Sequence, residues 1–188
     1  MKNNKYILVV LALILWTCER DDICAEGTPT TPRILVEFFD VTDTDELKNV
    51  PRLSVYAAEL ITDETTGEII FPETVTEATL RFNENSNSVE LPLKVTEELQ
   101  ETTIRYYFET NTNLRLDENA ATNSNIDIID VTYTPEFVYV SRACGFKSIF
   151  NSVSVIGNAG DDSIDWIQNI TFTTSIENED TTHVQIFH

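Results

Sequence analysis

The stretch Phe137-Val-Tyr-Val-Ser-Arg-Ala-Cys-Gly-Phe-Lys147 is the densest aromatic and β-branched segment of this chain. Such residues suit a pleated, half-buried surface, so the stretch predicts a strand near the centre of a sheet. Because an unpaired arginine is costly on a buried side, we expect Arg142 to meet a carboxylate or to be lifted out by a twist at Gly145. Alternation places four residues on one side of this strand: Val138, Val140, Arg142 and Cys144.

Further β-rich segments flank this stretch on both sides. In three of them, alternation groups side chains on one face: Ile34, Val36 and Phe38, then Ile104, Tyr106 and Phe108, and then Ile129, Val131 and Tyr133, the last three facing inward. The segments are Arg33–Val41, Leu53–Ile61, Glu77–Phe82, Ser88–Val95, Thr102–Glu109, Ile126–Thr134, Phe146–Ile156, Trp166–Ile176 and Thr182–Phe187.

Turn residues divide these segments. Asn83–Asn87 and Glu177–Asp180 predict two hairpins, and Gly157–Gly160 predicts a turn. Pro92 indicates an edge or bulged strand, whereas Pro135 is expected to break its strand. Leu114–Asn125 is expected to be a loop, and Ala57–Leu60 leaves helix open as an alternative to strand.

Short strands separated by Asn- and Asp-rich turns predict an all-β fold, a single antiparallel β-sandwich. The immunoglobulin-like form is our first expectation, with a jelly roll or barrel second. We expect three parts: residues 1–17 as a signal peptide, 18–32 as a lipidated tether and lead-in, and 33–188 as the sandwich domain. The signal helix would lie outside the fold.

The amino terminus is typical of an export signal. Lys2 and Lys5 precede an apolar run, Tyr6–Trp16, that is too short to span a bilayer as a helix. This segment resembles a bacterial lipoprotein signal, in which cleavage before Cys18 frees that cysteine for acylation. The alternative is a plain secretory signal, with Cys18 an ordinary thiol. Acyl chains on Cys18 would anchor the protein to a lipid bilayer.

The remaining cysteines, Cys24 and Cys144, would lie in an oxidising compartment after export. There a disulfide is the default, although free thiols and metal ligation remain alternatives. The bond would close a loop of about 120 residues and stabilise the fold by roughly 4–5 kcal/mol in the chain-entropy account.

Charge limits the partners that this protein can bind. Acidic residues outnumber basic residues 32 to 12, giving a formal net charge of −20. Such a surface repels nucleic acid and anionic lipid headgroups, because phosphate contacts need Lys and Arg. The acidic run Glu19, Asp21 and Asp22 resembles a surface-export signal of some Gram-negative lipoproteins, and its alternative is a solvated tether.

Few residues suggest chemistry. The sequence contains no GxSxG, Walker, GxGxxG or HExxH motif, and His183 and His188 lie at the carboxy terminus, where mobility would make them poor bases. We therefore expect no enzyme and no cofactor. Weak calcium candidates are Asp40, Asp43 and Asp45, with Asp117, Glu118 and Asp127 around the long loop; solvated loops are the alternative. Tyr107 and Trp166 could form an exposed binding platform or pack in the core.

Two blocks, Asp21–Arg33 and Tyr139–Lys147, follow the signal. Together they resemble an uncharacterised family of flavobacterial-type lipoproteins. The resemblance implies a location in the cell envelope, and no activity. We expect the protein to be lipid-anchored at the outer membrane or cell surface. We therefore expect a cell-envelope lipoprotein with a non-enzymatic domain that binds or scaffolds a protein or glycan. A purely structural envelope component and a secreted hydrolase, or its carbohydrate-binding accessory module, are alternatives.

Overall fold

The computed structural model describes residues 23–24, 31–117, 124–159 and 165–188. This part of the chain contains ten strands and two short helices. They are β1 (Ile34–Phe39), β2 (Val50–Ala57), α1 (Ala58–Ile61), β3 (Thr79–Ser86), β4 (Ser88–Leu91), β5 (Thr102–Thr110), α2 (Thr112–Leu116), β6 (Asn125–Ser141), β7 (Gly145–Ala159), β8 (Asn169–Phe172), β9 (Ser175–Ile176) and β10 (Val184–Phe187).

The strands form two sheets, with orders β4-β1-β10-β8 and β3-β2-β5-β6-β7-β9. Both sheets contribute to one buried apolar cluster, so they stack face to face as layers of a sandwich. The all-β sandwich prediction is confirmed, and the described strands do not close into a barrel. One pairing departs from the expected antiparallel pattern, because β1 and β10 run parallel.

The core follows the alternation read from the sequence. All nine residues that alternation groups on one face of β1, β5 or β6 are buried, including the three predicted to face inward. Each large apolar side chain buried in this way contributes about 1.5–3 kcal/mol. The Tyr106 hydroxyl donates to the carbonyl of Pro92, and the Tyr133 hydroxyl donates to that of Lys94 over 2.8 Å. Burial raises the pKa of Tyr133 to about 12.

The first predicted hairpin is wrong. β3 pairs with β2 in one sheet and β4 pairs with β1 in the other, so the chain crosses between layers around Asn87. A crossing between sheets and a hairpin both need turn residues between two β segments, so the local sequence does not distinguish them. The prediction from Pro92 is confirmed, because β4 ends at Leu91 and lies at the edge of its sheet.

Pro135 does not break its strand, which runs on as β6 to Ser141. The Pro135 carbonyl accepts from the Leu99 amide over 2.8 Å, on the side of β6 away from β7. The N and C=O groups of one strand residue point to the same side, so the missing N–H of Pro135 costs no bond to β7. β5 does not occupy that side either, because its pairing with β6 ends at the pair Thr102 and Tyr133.

The stretch Phe137–Lys147 is a hairpin rather than one strand. β6 ends at Ser141, a turn holds Arg142 and Cys144, and β7 begins at Gly145. Arg142 is exposed in this turn, which removes the cost of burying it. Gly145 has φ of +71°, a left-handed value that suits glycine in a turn. The prediction of a central position is correct for β6, which lies between β5 and β7.

The carboxy-terminal segments are predicted only in part. β8 pairs antiparallel with β10 as expected, but Ser175–Ile176 leaves that pair and joins the other sheet as β9. Gly157 lies within β7 instead of starting a turn. A Cβ at Gly157 would lie 2.8 Å from Cδ1 of Ile170, so this glycine lets β8 approach β7 closely.

Both helices are short. α1 follows β2 within the segment left open between strand and helix, and α2 begins just before the predicted loop that starts at Leu114. Among the residues that the structure describes, no helix has the length and apolar character needed to cross a membrane.

Candidate functional site

A disulfide joins the turn between β6 and β7 to the start of the chain. Cys24 and Cys144 are bonded, with their Cα atoms 4.8 Å apart, as predicted from the cysteine count. Thr31 makes a second connection, because its Oγ1 accepts from the Ser148 amide of β7 over 3.0 Å. The lead-in is therefore fastened to the end of this hairpin. Cys18, the predicted lipidation site, lies outside the described residues.

Three aromatic side chains are exposed near this turn: Phe137, Tyr139 and Phe146, which we call the hairpin tip. Alternation puts Phe137 and Tyr139 on the same face of β6 as the buried Tyr133. Tyr139 is 59% exposed and Phe146, opposite it in register, is 68% exposed. Their rings contact edge to face with centroids 5.4 Å apart. The face of the hairpin that packs in the core therefore extends beyond the layer that covers it, and the aromatic rings at its end are exposed.

The charge of this hairpin differs from that of the chain. Phe137–Lys147 holds Arg142 and Lys147 and no acidic residue, in a protein whose net charge is −20. Arg142 is exposed, whereas the ammonium group of Lys147 donates to the carbonyl of Glu177 over 2.8 Å. An exposed arginine and exposed aromatic rings are therefore displayed beside the disulfide.

A cleft lies near the opposite end of the β6–β7 pair. Its volume is about 250 Å³, at the low end for ligand pockets. The Asp127 carboxylate on its wall accepts from the Ile167 amide over 2.8 Å. Asp165, the other carboxylate, is exposed. The lining residues are Asp127, Ile128, Gly157, Asp165, Ile167, Gln168, Asn169 and Ile170.

The outer face of the six-stranded sheet carries a buried ion pair that the sequence did not reveal. Glu109 is fully buried, and its carboxylate accepts from Arg115 of α2 over 2.8 Å. Tyr56 donates to the same carboxylate over 3.1 Å, and burial raises the pKa of Tyr56 to about 12. Arg115 also donates to the Pro72 carbonyl over 3.0 Å and lies 5.7 Å from the ring centroid of Phe71. This pair fastens α2 and a surface loop to the sheet.

Alternation alone predicts an exposed Glu109, on the same face of β5 as Arg105 and Tyr107. The residue is buried because α2 and the loop around Phe71 cover that face. Tyr107 is half-buried against Phe71, with ring centroids 5.5 Å apart. Trp166, the other platform candidate, is half-buried against the core, and its indole N–H donates to the Phe108 carbonyl. Neither residue forms an exposed platform.

The calcium candidates do not converge. Asp40 accepts from the amide and hydroxyl of Thr42 and lies 3.4 Å from the ammonium group of Lys48. These bonds, those of Thr42 first, lower the pKa of Asp40 to about 2. Asp43 and Asp45 are exposed in the loop after β1. Across the described ranges, no three His, Cys, Asp or Glu residues are arranged to hold a metal ion. Glu118 lies outside those ranges.

The histidines are not on a mobile tail, contrary to expectation. His183 is buried, and its Nδ1 accepts from the Leu35 amide over 2.9 Å. His188 lies edge-on against Phe38 and Trp166, with ring centroids 6.2 and 5.6 Å away. Burial lowers the pKa of both imidazoles, which favours their neutral forms. Both lie against the body of the fold because β10 lies between β1 and β8 in its sheet.

Comparison with known proteins identifies a family. A model of a family of unknown function, DUF6452, matches residues 53–188. The chain belongs to DUF6452. The DUF6452 match begins within β2 and covers Cys144, but not Cys18 or Cys24. No curated protein and no solved structure matches this DUF6452 chain. Membership of an uncharacterised family is thus confirmed, and its flavobacterial lipoprotein character stays a prediction.

Proposed function

We propose that this protein is a lipid-anchored component of a bacterial cell envelope, of the flavobacterial lipoprotein type. The Cys24–Cys144 disulfide is the observation that carries the proposal, because such bonds persist in exported proteins. The basic start, the apolar run and Cys18 support it, since they follow the order of a lipoprotein signal. The acidic residues after Cys18 favour the outer membrane or cell surface as its location.

The sandwich itself acts as a non-enzymatic binding or scaffolding domain in this proposal. Its buried titratable groups support this role, because they are engaged in holding the fold. Glu109 is paired with Arg115, Asp127 accepts from a backbone amide, and His183 accepts from Leu35. A hydrolase would instead need such groups aimed at a substrate. The exposed hairpin tip supports an interaction role.

Metabolic labelling with palmitate tests the anchor. The wild-type protein is expected to incorporate the label, and Cys18→Ala is expected to lose it completely, because acylation requires that thiol. Cys24→Ala is the matched control, since it also removes a cysteine near the amino terminus. The control should keep the label. Equal labelling of wild type and Cys18→Ala would contradict the proposal.

Affinity capture of the acylated protein from detergent-solubilised membranes addresses the binding role. A stoichiometric protein or glycan partner is expected if the sandwich binds or scaffolds. Recovery of the protein alone would favour a purely structural envelope component instead.

A further inference from the structure

We propose that the hairpin tip rests on the bilayer that holds the anchor, with its rings at the level of the lipid headgroups. This inference depends on the lipid anchor proposed above. It adds the orientation of the sandwich on the membrane and names the residues that fix it. The occupant of the exposed aromatic surface is then a lipid surface, rather than a second copy of the chain or another protein.

The length of the tether is the first argument. Only five residues lie between Cys18 and Cys24, so the chain from one cysteine to the other spans at most roughly 20 Å. The disulfide places the Cys144 Cα 4.8 Å from that of Cys24. The hairpin turn is therefore held close to the bilayer surface, whichever path the tether takes. Ile23, the residue before Cys24, is 78% exposed and lies in the segment that connects Cys18 to the hairpin turn.

The chemistry of the tip is the second argument. Large exposed rings are unfavourable in water, whereas aromatic residues are enriched where a membrane meets water. Tyr139 is suited to this boundary because its ring is apolar and its hydroxyl is polar. Phe146 and Phe137 add apolar area on the same face. The tip thus presents an interfacial surface at the point that the tether brings nearest the lipid.

Charge is the third argument. Arg142 is exposed in the hairpin turn and Lys147 follows it, with no acidic residue between Phe137 and Lys147 in the sequence. The Glu98 carboxylate accepts from the Phe137 amide over 3.2 Å, so the basic charge is displayed at the turn rather than along the whole hairpin. Lipid phosphates attract this segment, and they repel the acidic remainder of the chain. The electrostatic preference therefore orients the molecule with the turn toward the headgroups.

This orientation determines which end of the sandwich faces away. From Asp127 to Ser141, β6 spans roughly 45 Å at the usual rise per residue. The cleft beside Asp127 then opens at the end remote from the membrane. A soluble partner would meet that end first.

Fluorescence quenching by labelled lipid tests the contact. The acylated full-length protein is purified in detergent and reconstituted into phosphatidylcholine vesicles that carry a nitroxide near the headgroup. Phe146→Trp is expected to be quenched several-fold more strongly than Ile156→Trp, relative to wild type in the same vesicles. Ile156 is the matched control because it lies on the same strand, is 58% exposed, and is roughly 33 Å farther along β7. Tyr139→Trp should behave as Phe146→Trp does.

Vesicle flotation separates this inference from the anchor on which it depends. If the protein floats with the vesicles but neither tip variant is quenched, the contact is overturned and the anchor stands. Crosslinking of the tip to a second copy under the same conditions would also overturn it. If the protein does not float, the anchor fails, and this inference fails with it.

Discussion

Removing the disulfide by Cys24→Ser and Cys144→Ser together is expected to lower the free energy of unfolding by roughly 4–5 kcal/mol. The bond joins residues separated by 120 positions, so without it the unfolded chain gains the freedom of a very long loop. The folded body should change little, because β6 and β7 remain paired along most of their length. Urea unfolding monitored by circular dichroism measures the loss.

Two controls isolate the effect of the bond from that of the side chains. Reduction of the wild-type protein should reproduce the loss, whereas Cys18→Ala should leave the free energy of unfolding unchanged. A double variant as stable as the wild type would show that the bond does not constrain the unfolded chain as argued here.

Arg115→Met is expected to cost roughly 3–5 kcal/mol of unfolding free energy. The substitution keeps much of the side-chain volume but leaves the fully buried Glu109 without its cation. It also removes the donor to the Pro72 carbonyl, so the loop that packs on Tyr56 should loosen. Adding Glu109→Gln should recover a large part of the loss, because the uncompensated buried charge is then gone.

An exposed ion pair provides the contrast. Arg105 and Asp130 make two hydrogen bonds of 2.7 Å across β5 and β6, with the Arg105 side chain 48% exposed. Arg105→Met should therefore cost no more than about 1 kcal/mol, because water and salt screen such pairs. Equal losses for Arg115→Met and Arg105→Met would contradict the assignment of Glu109 and Arg115 as a buried pair.

Alternation predicted the core because it is a local property with a fixed physical period. Residues such as Val36, Tyr106 and Val131 are buried wherever one face of a strand meets the opposite sheet. The disulfide was likewise predictable, since the proposed export and acylation of Cys18 would leave two cysteines to pair. Both predictions needed no knowledge of which strands are neighbours.

The failures involve contacts between distant segments. Asn87 marks a crossing between sheets, and only the partners of β3 and β4 distinguish it from a hairpin. Pro135 is tolerated because the pairing of β5 with β6 does not extend beyond Tyr133. The sequence around the proline does not encode this limit. Glu109 is buried by α2 and a loop rather than by its own strand. The hairpin tip was missed for a related reason: aromatic strands are normally core, and only the extent of the covering layer exposes this one.

The buried polar residues and the exposed residues of the hairpin tip differ in what they contact. His183, Asp127 and Glu109 accept hydrogen bonds from distant segments, from Leu35, Ile167 and Tyr56 respectively. The rings and basic groups of the hairpin are displayed beside the point where the tether is fastened. The proposed orientation on a lipid anchor accounts for the second observation.

Peptide mapping of the protein isolated from membranes, without reduction, reads the anchor and the disulfide in one measurement. Chymotrypsin should leave Cys18 and Cys24 on one peptide, because no aromatic residue lies between Cys18 and Phe38. We predict that this peptide begins at an acylated Cys18 and is disulfide-linked through Cys24 to the peptide that holds Cys144. An unmodified Cys18, or free alkylation of both Cys24 and Cys144, would contradict the account.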